Sequence, residues 1–522
     1  MYFLIISAAG ALAAQTAAFE PLLFMAMDDI VDPWGLVYPL ANTVAPSPNL
    51  RPPPLNYTQG DLVIGVIKSA TVSGLYEIYA ENTTGKEPLT NNSKLGDNPT
   101  GATTSQLLRF TTTDFVSYTA PHTVLALSKG GTPTMKSIAR SNAGSTSLYV
   151  LFTVYDTFSS FVSTDAGMTW TQTNISGVVK PDKDDLNLIY NQNRFVDMQI
   201  VKQHLSVPPA LPSNWSMKYC DNDDTCSTRR VISAKTSNDG ATWSKDQPLI
   251  VPDEFDPPEL QFYRMRPFYV GDTSRVAAHV LQYAPSPSLD ILGDTYGRQP
   301  VYCKGKGDIW DPTDKKHRNG SLCHGPHLHE EWWVGPASGD AADTSSWRRP
   351  YRRTHSAPHD AWLMAPPVSF KDELLVWVGS TGKVYTLPSY RIAGVYAPAN
   401  GEASTPVIAS LPATKALWVN ADVKWKGREV TGGCDEGCDS YLFAALLDGE
   451  SGAEIPGFGV IDAVAMTDVD GLKMVMQWKR TSSGEEGGEE GVTFVNTTAL
   501  GGKSVRVRMY FRDAMVYAIG AE

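Results

Sequence analysis

The stretch 163–170 reads Ser-Thr-Asp-Ala-Gly-Met-Thr-Trp and decides the fold class of this 522-residue chain. It fits the pattern Ser-x-Asp-x-Gly-x-Thr-Trp at every fixed position. In such a turn the aspartate side chain accepts hydrogen bonds from turn amides, the glycine supplies a positive φ, and the tryptophan packs under the hairpin. A second stretch, 236–243, reads Thr-Ser-Asn-Asp-Gly-Ala-Thr-Trp and fits the pattern with Asn238 in place of the aspartate. Two such turns indicate a repeated β unit.

Around these turns the chain consists of short apolar, β-branched or aromatic runs, such as 62–67, 147–152 and 373–378. Turn-forming residues separate the runs, with 43 glycines and 36 prolines in the chain, and no long stretch has a helical period. The pattern predicts an all-β protein built as a sandwich, barrel or propeller. The two turns resemble the Asp-boxes of sialidase-like β-propellers. The resemblance implies that Asp165 and Asn238 are structural residues, away from the catalytic face.

A composition shift at residues 397–412, rich in alanine, glycine and proline, predicts a linker. The strand and turn spacing from 417 to 520 resembles the β-sandwich that follows the five-bladed propeller of invertase/inulinase-like glycosidases. We therefore expect a propeller of five or six blades over residues 19–400 and a β-sandwich over 412–522. The Trp-Met-Asn-Asp-Pro and Glu-Cys signatures of invertases, and the Arg-Ile-Pro motif of sialidases, are absent.

Composition narrows the class of partner. Apolar residues make up 42% of the chain and charged residues 19%, which predicts a folded core rather than disorder. The net charge of −12 disfavours nucleic acid as a partner, because binding a polyanion requires a basic surface. No segment after the N-terminus has 18 consecutive apolar residues, so no membrane span is expected.

Several features predict passage through the secretory pathway. Residues 1–18 resemble a signal peptide in their apolar run followed by small residues, with a buried first strand as the alternative. Seven glycosylation sequons occur, at Asn56, Asn82, Asn91, Asn174, Asn214, Asn319 and Asn496. The six cysteines fall in near pairs that favour local disulfides over a zinc site, namely Cys220 with Cys226, Cys303 with Cys323, and Cys434 with Cys438.

Hydrolysis of a glycoside needs two carboxyl groups facing one pocket, so carboxylates beside predicted strands are the candidates. The apolar run 22–30 contains Asp28 and Asp29 and resembles the first strand of five-bladed propeller glycosidases, in which an acidic residue faces the axial pocket. The alternative is that both aspartates cap a turn. Glu259 precedes a strand that carries Arg264 and Arg266 at i and i+2, hence on one face. These arginines either clamp an anionic sugar or pair with Asp256 and Glu259.

The densest polar stretch, 324–333, reads His-Gly-Pro-His-Leu-His-Glu-Glu-Trp-Trp. It offers Glu330 or Glu331 as a general acid and Trp332 or Trp333 as a sugar-stacking platform. In a strand, His327, His329 and Glu331 share one face, which is an alternative metal site. The basic run 347–353 is either a binder of acidic glycans or a solvated loop.

Arg391 is a further pocket candidate, on its strand position alone. The leading prediction is a secreted glycoside hydrolase-like protein that needs no cofactor and acts on a carbohydrate through axial-pocket carboxylates. The alternatives are a non-catalytic glycan- or protein-binding propeller and a metal-dependent lyase or hydrolase.

Overall fold

The computed structural model describes residues 20–25, 29–57, 61–69, 71–84, 103–129, 134–141, 148–155, 157–173, 186–204, 228–253, 256, 260–271, 273–284, 302–303, 308–309, 327–336, 338–344, 346–349, 365–379, 382–423, 440–482 and 491–522. These residues form antiparallel sheets and a 3-10 helix at Thr497–Leu500, and they include no α-helix. None of their helices is long and apolar enough to cross a membrane.

Five of the sheets are the blades of a propeller, in line with the predicted fold class. Blade 1 has the strands Leu62–Lys68, Tyr76–Thr84, Thr103–Thr112 and His122–Lys129. Blade 2 has Thr134–Arg140, Tyr149–Tyr155, Thr157–Ser163 and Thr171–Thr173. Blade 3 has Leu186–Asn191, Arg194–His204, Thr228–Ser237 and Gln247–Ile250. Blade 4 has Gln261–Tyr269, Val276–Ala284 and His327–Val334.

Blade 5 closes the ring with strands from both ends of the propeller sequence. Its strands are Val368–Phe370, Leu374–Val378, Val384–Pro388 and, on the outer edge, Ala45–Pro46. The first strand of each blade is the innermost, and these strands contact one another in the order blade 5, blade 1, blade 2, blade 3 and blade 4. A separate short hairpin pairs Tyr302–Cys303 with Asp308–Ile309.

Two further sheets make the β-sandwich. One orders the strands Asp470–Val475, Leu417–Asp422, Ala514–Ala521, Ala393–Ala397 and Val37–Ala41, with Leu22–Leu23 also paired to Ala514–Ala521. We call it the inner sheet. The second, the outer sheet, orders Val31–Trp34, Gly401–Ser404, Val505–Arg512 and Tyr441–Asp448. A hairpin of Trp478–Ser482 and Gly491–Val495 lies beside them.

Strand pairing assigns several segments to a different domain from the one expected from the sequence. The N-terminal strands, expected in the propeller, pair with C-terminal strands of the sandwich, as in Leu22 opposite Ile519. The strands Ala393–Ala397 and Gly401–Ser404, expected before or within a linker, also belong to the sandwich. A continuous core of buried side chains between the two sheets, including Val395, Val419 and Phe511, explains this allocation.

The two predicted Asp-box stretches both form tight turns. In the first, Asp165 Oδ1 accepts hydrogen bonds from the amides of Met168 (3.1 Å) and Thr169 (2.9 Å), and Trp170 Nε1 donates to the carbonyl of Gly167 (3.1 Å). Gly167 has φ +74°, as the sequence pattern requires.

The second turn corrects the residue assignment. Asp239, and not Asn238, accepts the amides of Ala241 and Thr242, each at 2.8 Å, and Ser237 Oγ donates to Asp239 at 2.9 Å. The turn is thus one residue shorter than the first between the aspartate and the glycine. We call the two stretches 163–170 and 237–243 the aspartate turns.

Candidate functional site

The strand directions define two ends of the propeller. Ser163, the first residue of one aspartate turn, and Arg140, the last residue of the blade 2 innermost strand, both pair with Tyr149. The aspartate turns therefore lie at the end where the innermost strands finish, which we call the turn end. The other end is the start end.

All five innermost strands contribute to an axial cavity of about 490 Å³ toward the turn end. Its walls are mostly aliphatic and proline side chains. The polar and aromatic residues in its described lining are Lys68, Arg140, Tyr190, Tyr269, Thr273, Ser369 and Phe268. No carboxylate is among the described residues that line it.

At the start end, Asp61 immediately precedes the innermost strand of blade 1. Its side chain is 2% exposed, and its Oδ2 accepts hydrogen bonds from the Asn56 amide (3.0 Å) and from Asn82 Nδ2 (2.9 Å). Two donors fix the direction of this carboxylate. The first propeller strand begins at Leu62, directly after Asp61, and not in the run 22–30, whose strand Leu22–Leu23 pairs in the sandwich.

A second acidic group of blade 1 lies near the same end. Glu81, on the second strand, is 1% exposed, and Ser105 Oγ donates to its Oε1 at 2.7 Å. Neither Asp61 nor Glu81 stood out in the sequence. The sequence signal that could have identified them is an acidic residue directly before an apolar strand, or inside one.

Blade 4 carries the two arginines on its innermost strand. Arg264 pairs with Leu281 and Arg266 with His279, so both arginines lie on one face, which is the expected arrangement. Both are buried. Burial, together with the charges of Arg266 and Arg264, lowers the pKa of His279 well below its usual value, so this imidazole is neutral at neutral pH.

Glu331 lies on the opposite face, in a buried ion network. Arg349 Nε is 3.4 Å from Glu331 Oε2, and the two terminal nitrogens of Arg349 bind Asp256 at 2.5 and 3.2 Å. The Arg349 guanidinium also lies 4.8 Å from the Trp333 ring. Asp256 therefore pairs with Arg349, a partner that the sequence did not indicate, and Arg349 is buried rather than part of a solvated loop.

The two tryptophans are packing residues, which corrects their prediction as sugar platforms. Trp332 is 1% exposed, donates through Nε1 to the Asn42 carbonyl at 2.6 Å, and lies with its ring centroid 4.0 Å from that of His279. Trp333 is 6% exposed and packs edge-on against Phe262. A buried ring offers no free face to a sugar.

Two further candidates form ion pairs with other segments of the chain. Asp29 Oδ1 is 2.9 Å from an Arg275 guanidinium nitrogen and joins the N-terminal segment to blade 4. Arg391 belongs to the sandwich, where it binds Asn420 Oδ1 at 2.8 Å and Asp470 Oδ1 at 2.6 Å. The sequence positions of Asp29 and Arg391 did not show whether each side chain faces a pocket or forms an ion pair.

The remaining predicted site residues are only partly described. Glu330 is half-buried and lies in one row with Arg264 across blade 4, through Leu281. Asp28, Glu259 and the side chains of His327 and His329 lie outside the described residues. Among the side chains that the structure does describe, no group of three or more His, Cys, Asp or Glu could hold a metal ion.

The predicted disulfides fall almost wholly outside the part of the chain that the structure describes. Only the backbone of Cys303 is described, in the short strand Tyr302–Cys303. The other five cysteines lie outside the described residues, namely Cys220, Cys226, Cys323, Cys434 and Cys438. The pairing of Cys220 with Cys226, of Cys303 with Cys323 and of Cys434 with Cys438 therefore stays a prediction from the sequence.

A polar cluster that the sequence did not indicate lies within blade 3. Asp197 and Lys235 are paired across neighbouring strands and buried, and Lys235 Nζ is 3.4 Å from Asp246 Oδ1. Burial raises the pKa of Asp197 to about 8, Lys235 opposes this shift, and Asp246 adds to it. Asp197 therefore holds its proton at neutral pH. Leu188, on the innermost strand, pairs with Asp197 and lines the axial cavity, so it lies between this cluster and the cavity.

No protein-family model and no curated protein sequence matches the chain. Among solved structures, it is similar to a GH32 beta-fructofuranosidase from Bombyx mori, with 9% identity, a TM-score of 0.35 and coverage of 91% of this chain and 93% of that one. It is also similar to a GH43 arabinoxylan arabinofuranohydrolase from Bacillus subtilis, at 9% identity and a TM-score of 0.31, covering 89% and 96% of the two chains. A third similarity is to an alpha-L-arabinofuranosidase from Fusarium graminearum, at 11% identity, a TM-score of 0.31 and coverage of 69% and 99%.

Proposed function

We propose that this protein is a glycoside hydrolase-like enzyme that acts on a carbohydrate at the start end of its propeller axis. The observation that carries the proposal is Asp61, a buried carboxylate at the beginning of the blade 1 innermost strand, held by two hydrogen-bond donors. Innermost strands surround the axis, and Asp61 lies where one of them begins, at the start end.

The chemistry requires a second carboxyl group that donates a proton to the leaving oxygen. We assign this role to Glu330, a half-buried acid on the third strand of blade 4 that the sequence had already offered as a general acid. Arg264, in the same row as Glu330, adds positive charge that favours substrates with carboxylate or other anionic groups. Asp61 then acts as the nucleophile or base.

The test is hydrolysis of a panel of aryl glycosides, including uronides, by the purified protein and by Asp61→Asn and Glu330→Gln. Each substitution should lower kcat at least about 100-fold, which is typical for loss of a group that transfers a proton. Asp372→Asn is the matched control, because Asp372 is an exposed carboxylate at the turn end, 3.9 Å from Lys68. Full activity of Asp61→Asn would refute the assignment.

A non-catalytic glycan-binding propeller is the second candidate. The axial cavity supports it, because Lys68 and Arg140 in its lining provide positive charge for a bound ligand. This candidate predicts no turnover of any glycoside by the wild-type protein, together with saturable glycan binding that Arg140→Gln weakens.

We further propose that the protein enters the secretory pathway. The signal-like residues 1–18, the seven sequons and the three cysteine pairs support this proposal. Expression in a eukaryotic host tests it, since the mature protein should then appear in the medium without residues 1–18 and with its six cysteines oxidised.

A further inference from the structure

The axial cavity at the turn end is separate from the proposed hydrolase site. Asp61 stands directly before the blade 1 innermost strand, Leu62–Lys68, whereas Val66, Ile67 and Lys68 line the cavity where the same strand finishes. A strand rises about 3.3 Å per residue, so roughly 16 Å separate Asp61 from Val66. A ligand in the cavity therefore does not occupy the position of the proposed nucleophile.

The size and the walls of the cavity suit a small, mainly apolar molecule. Its volume of about 490 Å³ lies within the roughly 300–1,000 Å³ of pockets that bind small molecules. Each of the five innermost strands contributes an aliphatic or proline side chain to the wall, namely Ile67, Ile138, Leu188, Pro267 and Val368. Such a wall favours an apolar ligand, because their contact removes apolar surface of both from water.

Four side chains of the lining carry a hydroxyl group, and two of these hydroxyls are hydrogen-bonded within the protein. The Tyr269 hydroxyl donates to the Tyr190 carbonyl at 2.7 Å and accepts from Asn191 Nδ2 at 3.1 Å. Thr273 Oγ1 donates to the Val270 carbonyl at 2.7 Å. These two hydroxyls therefore hold the chain segments that shape the cavity.

Ser369, on the blade 5 innermost strand, carries the third hydroxyl. Its backbone is held in place, because its carbonyl accepts a hydrogen bond from the Tyr76 hydroxyl at 3.2 Å. Its side chain is 6% exposed, and its Oγ has no hydrogen-bond partner among the described residues. Burial of a hydroxyl costs free energy unless a hydrogen bond compensates it, so Ser369 favours a ligand with a polar atom at this point.

Tyr190, on the blade 3 innermost strand, carries the fourth hydroxyl. It is 9% exposed, and its ring packs edge-on against Phe195 at a centroid distance of 5.0 Å. Within the described part of the chain, no residue hydrogen-bonds its hydroxyl. Blades 3 and 5 are not neighbours in the contact order, so Tyr190 and Ser369 lie on different sides of the cavity.

The two cations of the lining have partners within the chain. Lys68 Nζ is 3.9 Å from Asp372 Oδ1, and the Arg140 guanidinium donates to the Lys68 carbonyl. The hydroxyls of Ser369 and Tyr190 can each donate or accept, and they pair with neutral groups. A neutral ligand therefore satisfies them.

We propose that the turn-end cavity binds a neutral, mainly apolar small molecule with a hydroxyl or carbonyl group at one or both ends. Its body contacts the aliphatic wall, and its oxygen atoms hydrogen-bond with Ser369 Oγ and the Tyr190 hydroxyl. A sugar fits this wall less well, because each sugar hydroxyl buried against aliphatic side chains costs free energy. The site is independent of the proposed hydrolysis at Asp61.

The test measures fluorescence of the neutral apolar dye N-phenyl-1-naphthylamine with the full-length protein, and its displacement by naphthalene, 2-naphthol and 2,6-dihydroxynaphthalene. Each added hydroxyl should tighten binding roughly fivefold, which corresponds to one net hydrogen bond. Ser369→Ala and Tyr190→Phe should each remove one such step and leave the affinity for naphthalene unchanged. Ser369→Ala should also keep or raise the melting temperature, because the lost hydroxyl has no partner among the described residues.

A variant that fills the cavity shows where the dye binds. Pro366 is half-buried in the lining, in the segment before the strand Val368–Phe370. Pro366→Trp places a large ring there without changing the strand, and it should abolish dye binding. The two hydroxyl variants are conservative and test the proposal even if this larger change prevents folding.

Ser389→Ala is the matched control. Ser389 is 1% exposed, its Oγ also has no partner among the described residues, and it does not belong to the described lining. The proposal is overturned if the dye does not bind, if folded Pro366→Trp binds it as tightly as the wild type, or if the hydroxyl variants behave like Ser389→Ala. Displacement of the dye by glucose or galacturonate as readily as by 2-naphthol would also overturn it and favour the glycan-binding alternative. Because the readout is dye displacement, a failure of the hydrolase proposal does not affect it.

Discussion

Arg349 and Asp256 are joined by two hydrogen bonds, at 2.5 and 3.2 Å, although 93 residues separate them in the chain. Both side chains are 5% exposed. The pair connects the segment after the third strand of blade 4 with the loop that enters the innermost strand of the same blade. The pair thereby fixes one edge of blade 4, the blade that carries Arg264 and Glu330.

Arg349→Met should therefore destabilise the fold. Removing one member of a buried ion pair leaves the other charge without its partner, which typically costs about 3–5 kcal/mol. Denaturant unfolding of the purified variant measures this change. The double variant Asp256→Asn/Arg349→Met should recover part of the loss, and a strictly additive result would show that the two residues do not stabilise each other.

Asp197 should make the stability of the protein depend on pH. Its folded-state pKa is about 8 and its ordinary value is 3.8, so the folded state holds the proton more tightly than the unfolded state. The contribution to stability is then complete below about pH 4 and is lost as pH rises toward 8. Melting temperatures of Asp197→Asn and the wild type should converge at acidic pH, and the variant should be the more stable protein above pH 8. Parallel curves would contradict the assignment.

Alanine substitutions at Gly167 and Gly74 distinguish the effect of a steric clash from the effect of backbone strain. Both have a positive φ, +74° and +73°, but a Cβ on Gly167 would lie 2.2 Å from the Tyr79 hydroxyl, whereas a Cβ on Gly74 meets nothing within 4 Å. Gly74→Ala should cost only about 1–2 kcal/mol of unfolding free energy, from the left-handed backbone. Gly167→Ala should cost clearly more, because the Tyr79 ring must also move. Equal losses would mean that the first aspartate turn is not packed on blade 1.

The described sequons should differ in glycan occupancy. Asn56 is exposed, and the half-buried Asn496 accepts hydrogen bonds from Thr498 through Oδ1, while its Nδ2 donates to no buried group among the described residues. Asn82 Nδ2 instead donates to the buried carboxylate of Asp61. Peptide mapping of protein secreted from a eukaryotic host should find glycans on Asn56 and Asn496 and an unmodified Asn82. A glycan on Asn82 would also question the position of Asp61.

The candidate site was predictable from sequence only in part. The i, i+2 spacing of Arg264 and Arg266 was enough to place them on one strand face, because side chains alternate in any strand. Nothing in the local sequence indicated that Glu331 lies beside Arg349, a residue 18 positions later. Asp61 was missed for a similar reason, since its partner Asn82 lies on the neighbouring strand.

The sequence by itself determined the features that arise within a few residues: the all-β class, the two turns at Asp165 and near Asp239, and the alternation of buried and solvent-facing side chains. Only the tertiary structure decided that Leu22 pairs with Ile519 and that Ala45 completes the blade that begins at Val368. It also decided that Arg349 lies beside Glu331 and Asp256. Turn and strand preferences are set by local backbone sterics, whereas strand partners and ion pairs depend on contacts between distant segments that form together with the core.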